Sequence, residues 1–369
     1  MSNTPPSITV PTDCSLEEAL AKISDGGFIT IQPGEYALSQ TIELSGNVTL
    51  QGQTGQAEDV TIDCPTANAF KITGGSPSFQ NLTVRSGGQQ RSAFYVTGGS
   101  PKLFRCVITS RGGDGMFVRG ETSAPQVEAC VLKDSANRGL VLCESARSVF
   151  RDCEICGNTS LGIRVDSAAN PTFIGCKIHH GYDDGINVYD SGRGEFHDCE
   201  IYENSRIGIS VGGSANPTVT GCEIHGNYDG ISVFNGASGE FRDCEIYENV
   251  KVGFRVSNPS TNPTVIGCKI HDGSDFGVLV SGEARGEFRD CEIYGNANAG
   301  IGVCYAGNPT VTGCKIHDGF SHGVWVAKDG KGTFRNNSLE KNFNDGKLSN
   351  WKIEARWGAV KRSGNTPAY

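Results

Sequence analysis

The sequence has little of what marks several large classes of protein. Basic residues are outnumbered, with 32 Lys and Arg against 41 Asp and Glu for a formal net charge of -9, so the basic balance or stripe of a nucleic-acid binder is missing. No apolar run approaches the ~18 residues that a membrane span requires. The opening Met1-Ser2-Asn3-Thr4-Pro5-Pro6 carries neither the basic nor the apolar segment of a secretory signal. A soluble, cytoplasmic protein without nucleic-acid or membrane partners is the expectation. Helical periodicity is missing from the long middle of the chain, and methionine is scarce, with 2 residues.

What is abundant is glycine, 50 residues of 369, about twice the usual ~7% and without the three-residue period of collagen. Cysteine numbers 15, but an odd count in a long chain without an export signal argues against a disulfide framework. Cys106, Cys130, Cys153, Cys176, Cys199, Cys222, Cys244, Cys268, Cys291 and Cys314 recur at intervals of 22 to 24 residues. Such a period means a solenoid or an array. Each unit is strand-like: Phe241-Arg242-Asp243-Cys244-Glu245-Ile246-Tyr247 alternates apolar and polar, turns at Asn249, and alternates again in Gly253-Phe254-Arg255-Val256. A unit this short has no room for a helix plus strands. The spacing predicts an all-β, single-stranded right-handed parallel β-helix of about twelve turns, each strand pairing with its equivalent one turn later at ~4.8 Å.

In such a stack the ladder cysteines read as a reduced core row of small hydrophobes. Asn158, Asn204, Asn227, Asn249, Asn296 and Asn342, five residues after the ladder position, fit a left-handed turn conformation, which Asn tolerates. Cys156 is read as incidental, because its equivalents in other units are His or Tyr. His179, His225, His271 and His317 alternate with Tyr202, Tyr247 and Tyr294. Histidines two turns apart lie ~9.6 Å from one another, too far to share an ion with bonds of ~2 Å, so outward, solvated rings are expected. The ends read as caps: residues 1–27 hold an N-terminal segment with the capping box Ser15-Leu16-Glu17-Glu18, residues 28–345 the β-helix, and residues 346–369 an apolar C-terminal cap with Trp351, Ile353, Trp357 and Val360. Strand edges left open at those ends would permit association through them.

Alternate units differ, since Asn-Pro-Thr returns at 170, 216, 262 and 308 and Gly-Glu-Phe at 194, 240 and 286. This double repeat, across about residues 68 to 345, resembles the parallel β-helix repeats of F-box-only ubiquitin-ligase adaptors and their bacterial relatives, within the pectin-lyase-like group. The resemblance implies a binding platform. No F-box-like helical segment and no zinc-binding Cys/His cluster accompanies it, so a role in ubiquitin ligation does not carry over.

Pectin-lyase-like folds include lyases, polygalacturonases and epimerases, so an enzyme is the alternative. Asp183-Asp184-Gly185-Ile186 and Asn227-Tyr228-Asp229-Gly230-Ile231 resemble polygalacturonase motifs, and Ser321-His322-Gly323 weakly so. Their order is reversed and the family's Arg-Ile-Lys motif is missing. A hydrolase needs an acid and a base carboxyl ~6.5 to 9.5 Å apart for inversion, and Asp184 and Asp229, two turns apart, would sit near ~9.6 Å. A lyase would take Arg206 as base, with Asp183, Asp184 and Asp229 holding calcium. Otherwise no cofactor or metal is expected. All these aspartates occupy one turn position where Asp is common. The main expectation is therefore non-enzymatic recognition of a protein or polysaccharide along one sheet face, through Arg164, Asp166, Asn187, Tyr189, Arg206, Phe234 and Arg255. The alternative is a lyase or hydrolase acting on acidic polysaccharide through Asp184, Asp229 and Arg206.

Overall fold

A computed structural model describes residues 5–23, 25–356 and 358–366. The chain divides into two compact units, Met1–Tyr182 and Asp183–Tyr369, and each is a stack of parallel β coils. A representative coil of the second unit has three strands, Glu240–Arg242, Glu245–Tyr247 and Phe254–Ser257. Asp243 takes a left-handed φ of 51° and so breaks the alternating run expected across Cys244 into two strands. The ladder cysteine sits at the corner. Each strand pairs in parallel, without slippage, with its equivalent in the next coil: Glu240 with Thr264, Glu245 with Lys269, Phe254 with Val278.

About 15 coils wind through the chain rather than about twelve. The additional ones lack the ladder cysteine by which coils were counted. At the start, Ser7–Val10, Gly26–Ile31 and Asn47–Gly52 pair in parallel; toward the end, Trp351–Ile353 joins Val324–Val326 and Val360–Ser363 joins Gly332–Arg335. The helix Leu16–Lys22 closes its capping box, the amide of Glu18 donating to Ser15 Oγ at 3.3 Å and that of Ser15 to Glu18 Oε2 at 3.2 Å, and it buries Leu16, Ala19 and Leu20. Trp351 meets Phe334 edge-on, ring centroids 5.5 Å apart. Trp357 lies outside the described residues.

The double repeat has a packing cause. Along the first strand of each coil in the second unit the inward residues are Phe196, Val219, Phe241, Val265, Phe288, Val311 and Phe334, all without solvent exposure. Large and small side chains alternate, so that rings in successive coils do not compete for one volume. In the second unit Asn-Pro-Thr introduces the Val coils and Gly-Glu-Phe those of Phe196, Phe241 and Phe288, whereas Asn170-Pro171-Thr172 in the first unit introduces Phe173, stacked on Phe150 with ring centroids 4.8 Å apart. The ladder thiols also donate: Cys244 Sγ reaches the carbonyl of Val219 and Cys268 Sγ that of Phe241, each at 3.6 Å. None of the 15 cysteines is in a disulfide.

The asparagines do not adopt the left-handed conformation expected of them. That geometry belongs to the residue before each, such as Gly226 (φ 64°) and Glu248 (φ 52°). The asparagines turn inward and are buried. Asn227 Oδ1 accepts the amide of Asn204 at 3.0 Å, and Asn227 Nδ2 donates to the carbonyls of Ile201 and His225 at 3.0 and 2.9 Å. They satisfy backbone groups that a buried turn would otherwise leave unpaired. The neighbouring glycines follow from this: a Cβ on Gly208 would lie 2.9 Å from Asn227 Nδ2 and 2.7 Å from Ile224 Cγ2.

The histidines are not solvated either, His271 and His317 being 9% exposed. His225 stacks between Tyr202 and Tyr247 and His271 between Tyr247 and Tyr294, with ring centroids 4.4 to 5.3 Å apart. Alternating flat rings in register form a continuous stack, which explains the choice of His and Tyr at one position.

Candidate functional site

The third strand of each coil builds the sheet that carries the predicted residues. In the second unit its outward row runs Asn187, Ser210, Ser232, Arg255, Leu279, Gly302, Trp325 and Lys352, each paired in register with the next. Asn187 Nδ2 donates to Ser210 Oγ at 3.4 Å. Ser210 and Ser232 are buried at 2% and 4% exposure.

Two positions beyond Asn187 and Ser232 in sequence, Tyr189 and Phe234 flank Gly212. A Cβ built on Gly212 would meet Tyr189 Cδ2, Tyr189 Cε2 and Phe234 Cε2 at 2.9 Å each. The two rings therefore converge over a glycine that leaves room for both. Tyr189 is 39% exposed and Phe234 half-buried. Further along the unit, Phe276 and Trp325 stack with centroids 5.9 Å apart, and Phe276 lies against Gly302 in the same manner. Sequence reasoning placed Tyr189 and Phe234 on this face but missed their convergence, whose only signal was a glycine at the intervening repeat position.

The three predicted arginines are engaged by carboxylates. In the first unit Arg164 Nε donates to Asp166 Oδ2 at 2.6 Å. In the second, Arg206 Nη1 donates to Asp183 Oδ1 at 3.0 Å, and Arg255 grips Asp229 with Nε to Oδ2 at 2.9 Å and Nη2 to Oδ1 at 3.2 Å. Lys352 pairs with Glu354 at 3.3 Å. The outward row of the second unit thus presents little uncompensated charge.

The aspartates before the glycine strands share one structural task. Asp184 Oδ1 accepts the amide of Ile207 at 3.1 Å and Asp229 Oδ1 that of Val252 at 2.9 Å; Asp114 does the same for Arg138 in the first unit, at 3.1 Å. Each ties its coil to the next. Their electrostatic settings differ. Burial, helped by the charge of Asp183, raises the pKa of Asp184 above its ordinary value, whereas both oxygens of Asp229 are held by a guanidinium. The Asp183 hydrogen bond raises Arg206 above the usual guanidinium value. His322, pushed down by burial, belongs to the same turn row four coils after Asp229.

Asp183, Asp184 and Asp229 do not gather into an ion-binding set. Among the described residues the one group of His, Cys, Asp or Glu ligand atoms close enough for that is Glu154, Cys156 and His179, in the first unit.

The chain matches the family model described as "Right handed beta helix region" over residues 68–210, 161–265 and 207–354. Among solved structures it is similar to the A-module of a mannuronan C-5 epimerase of Azotobacter vinelandii, with a TM-score of 0.50 and 19% identity over 94% of this chain and 92% of that one. It is also similar to the catalytic domain of a GH87 α-1,3-glucanase in complex with nigerose, with a TM-score of 0.52 and 11% identity over 97% and 68%. A third is the catalytic unit of a thermostable GH87 α-1,3-glucanase from Streptomyces thermodiastaticus, with a TM-score of 0.50 and 16% identity over 94% and 64%.

Proposed function

The chain belongs to the right-handed β-helix family, the match covering residues 68–354 of 369, and on that premise we propose that its second unit binds an extended, electrically neutral glycan along the third-strand sheet. The observation that carries this reading is the pair of rings, Tyr189 and Phe234, converging over Gly212 beside the Asn187–Ser210 row. Aromatic faces give the apolar side of a sugar a flat support, and the part-exposed Asn187 amide, held by Ser210, orients its hydroxyl groups. The arginines being neutralised in place, a polyanion finds no free cation among the described residues of the row. Structural neighbours of this fold act on carbohydrates, but a fold leaves function to the residues of the site. A protein partner on the same face has no comparable feature in its favour.

Gel retardation in immobilised polysaccharides tests the reading. The native chain is expected to be retarded by a neutral glucan more than by polygalacturonate or alginate. Gly212→Val, whose side chain would force the rings apart, is expected to remove the retardation while the far-UV spectrum stays that of a β protein. Equal migration of the two proteins in every gel would contradict it.

A second reading, hydrolysis, is favoured by Asp184, a buried carboxyl whose raised pKa suits a general acid. The partner base is the weak point, because Asp229 already accepts three hydrogen bonds. Arg206 is likewise unsuited to act as a lyase base, since its ion pair with Asp183 holds its proton. New reducing ends from a glucan, lost in Asp184→Asn, would establish this reading; their absence with a folded protein that still binds glycan would remove it.

A further inference from the structure

The second strands of alternate coils carry a recurrent pair, a Glu reaching the Nε2 of a His in the following coil. It is built with Glu154 and His179 at 3.2 Å in the first unit, and in the second with Glu200 and His225 at 3.4 Å, Glu245 and His271 at 3.2 Å, and Glu292 and His317 at 3.1 Å. In the three pairs of the second unit the residue in register before the His is a tyrosine, Tyr202, Tyr247 or Tyr294. Before His179 stands Cys156. A stacked ring is replaced by a soft sulfur ligand, one coil from the imidazole rather than two.

The consequence is geometric. Ligand atoms of Glu154, Cys156 and His179 all lie within 4.8 Å of one another. Around a tetrahedral ion with bonds of ~2.0 to 2.3 Å the ligand atoms sit roughly 3.3 to 3.8 Å apart, so small rotamer adjustments of two half-exposed side chains suffice. His179 Nδ1, on the far side of its ring, lies 2.7 Å from His180 Nδ1. An ion at Nε2 requires the remaining ring proton on Nδ1, and His180 is placed to accept it. Metal-bound histidines characteristically have such an outer partner. A divalent cation between sulfur and carboxylate favours the thiolate, and the thiol proton leaves to solvent.

We propose that Glu154, Cys156 and His179 form a site for a divalent zinc ion that clamps two successive coils of the first unit, with solvent in the fourth position. One sulfur, one imidazole nitrogen and one carboxylate oxygen match a borderline-soft ion and suit calcium or magnesium poorly. The site is independent of the glycan-binding face.

The test uses tag-free full-length protein, titrated with Zn2+ against a chromophoric chelator and separately loaded with Co2+. One tightly held ion per chain is expected, together with a thiolate-to-cobalt charge-transfer band and a rise in Tm on adding Zn2+. Cys156→Tyr, which installs the residue found before the other histidines, is expected to lose all three, and Cys156→Ser to lose the charge-transfer band. His180→Gly is expected to weaken binding roughly ten- to a hundredfold; Gly already occupies this position after His225, at Gly226. His225→Ala, which breaks a pair lacking the cysteine, is expected to leave binding unchanged. No stoichiometric ion, an ion retained by Cys156→Tyr, or an equal loss in His225→Ala would each overturn the proposal.

Discussion

Asp184 is at once a structural ligand of a backbone amide and a buried charge. Its Oδ1 accepts the amide of Ile207 at 3.1 Å, and its pKa is raised by burial first and by Asp183 second. A raised folded-state value means that the folded protein takes up the proton before the unfolded chain does. Above that value the carboxylate therefore lowers stability, and the deficit disappears as pH falls from the raised value toward the ordinary 3.8. Asp184→Asn keeps an oxygen for the Ile207 amide and removes the charge. It is expected to raise Tm at pH 7, with the advantage over the native protein shrinking toward pH 4 in thermal melts followed by circular dichroism. An advantage that stays constant with pH would mean that the carboxylate is not the cause. At this same scale the sequence was ambiguous. It marked Asp184 and Asp229 by position but held nothing to show that Asp229 is gripped by Arg255 one coil later while Asp184 is not. The partner depends on a rotamer, which a repeat pattern does not encode. The inward asparagines were misread for a related reason: Asn favours both left-handed turns and side-chain bonds to backbone, and only burial decides between them.

The element that organises the molecule is the three-strand coil, and its variation follows volume. Phe and Val alternate along the first strand, fully buried, in the second unit. Val265→Phe would set rings in three successive coils, Phe241, residue 265 and Phe288. Overpacking of that kind costs about 1 to 3 kcal/mol, to be read as a lower denaturant midpoint, whereas Val265→Ile should cost less than about 1.5 kcal/mol. Equal stability of Val265→Phe and the native chain would mean that the alternation has no packing role. Coil architecture was legible because its signals are local and repeated: the cysteine interval, the Gly strand and the double repeat each recur many times. The terminal coils were not, since strands such as Ser7–Val10 and Val360–Ser363 lack every one of those markers and are recognised only by the neighbour that they pair with.

Over the whole molecule, the family-defining features are buried and repeated, while the candidate functional ones break the repeat. Cys156 stands where tyrosine is the rule, and Gly212 opens the gap into which Tyr189 and Phe234 lean. A solenoid supplies long flat sheets, and departures from its repeat are where specific chemistry can be placed. The third-strand row was readable in advance because register fixes which residues lie side by side. Its charge balance was not, because the partners of Arg206 and Arg255 come from the turn row one coil earlier, Asp183 and Asp229.

The measurement that tests the glycan-binding account most directly is hydroxyl-radical footprinting of the full chain, alone and with a neutral glucan oligosaccharide in excess, read by peptide mass spectrometry. The account predicts that oxidation of Tyr189 and Phe234 falls on adding the oligosaccharide, while the exposed Tyr305, at 72% exposure, and the stacked Tyr247 are unchanged. Unaltered oxidation of Tyr189 and Phe234 under conditions of saturating ligand would contradict it.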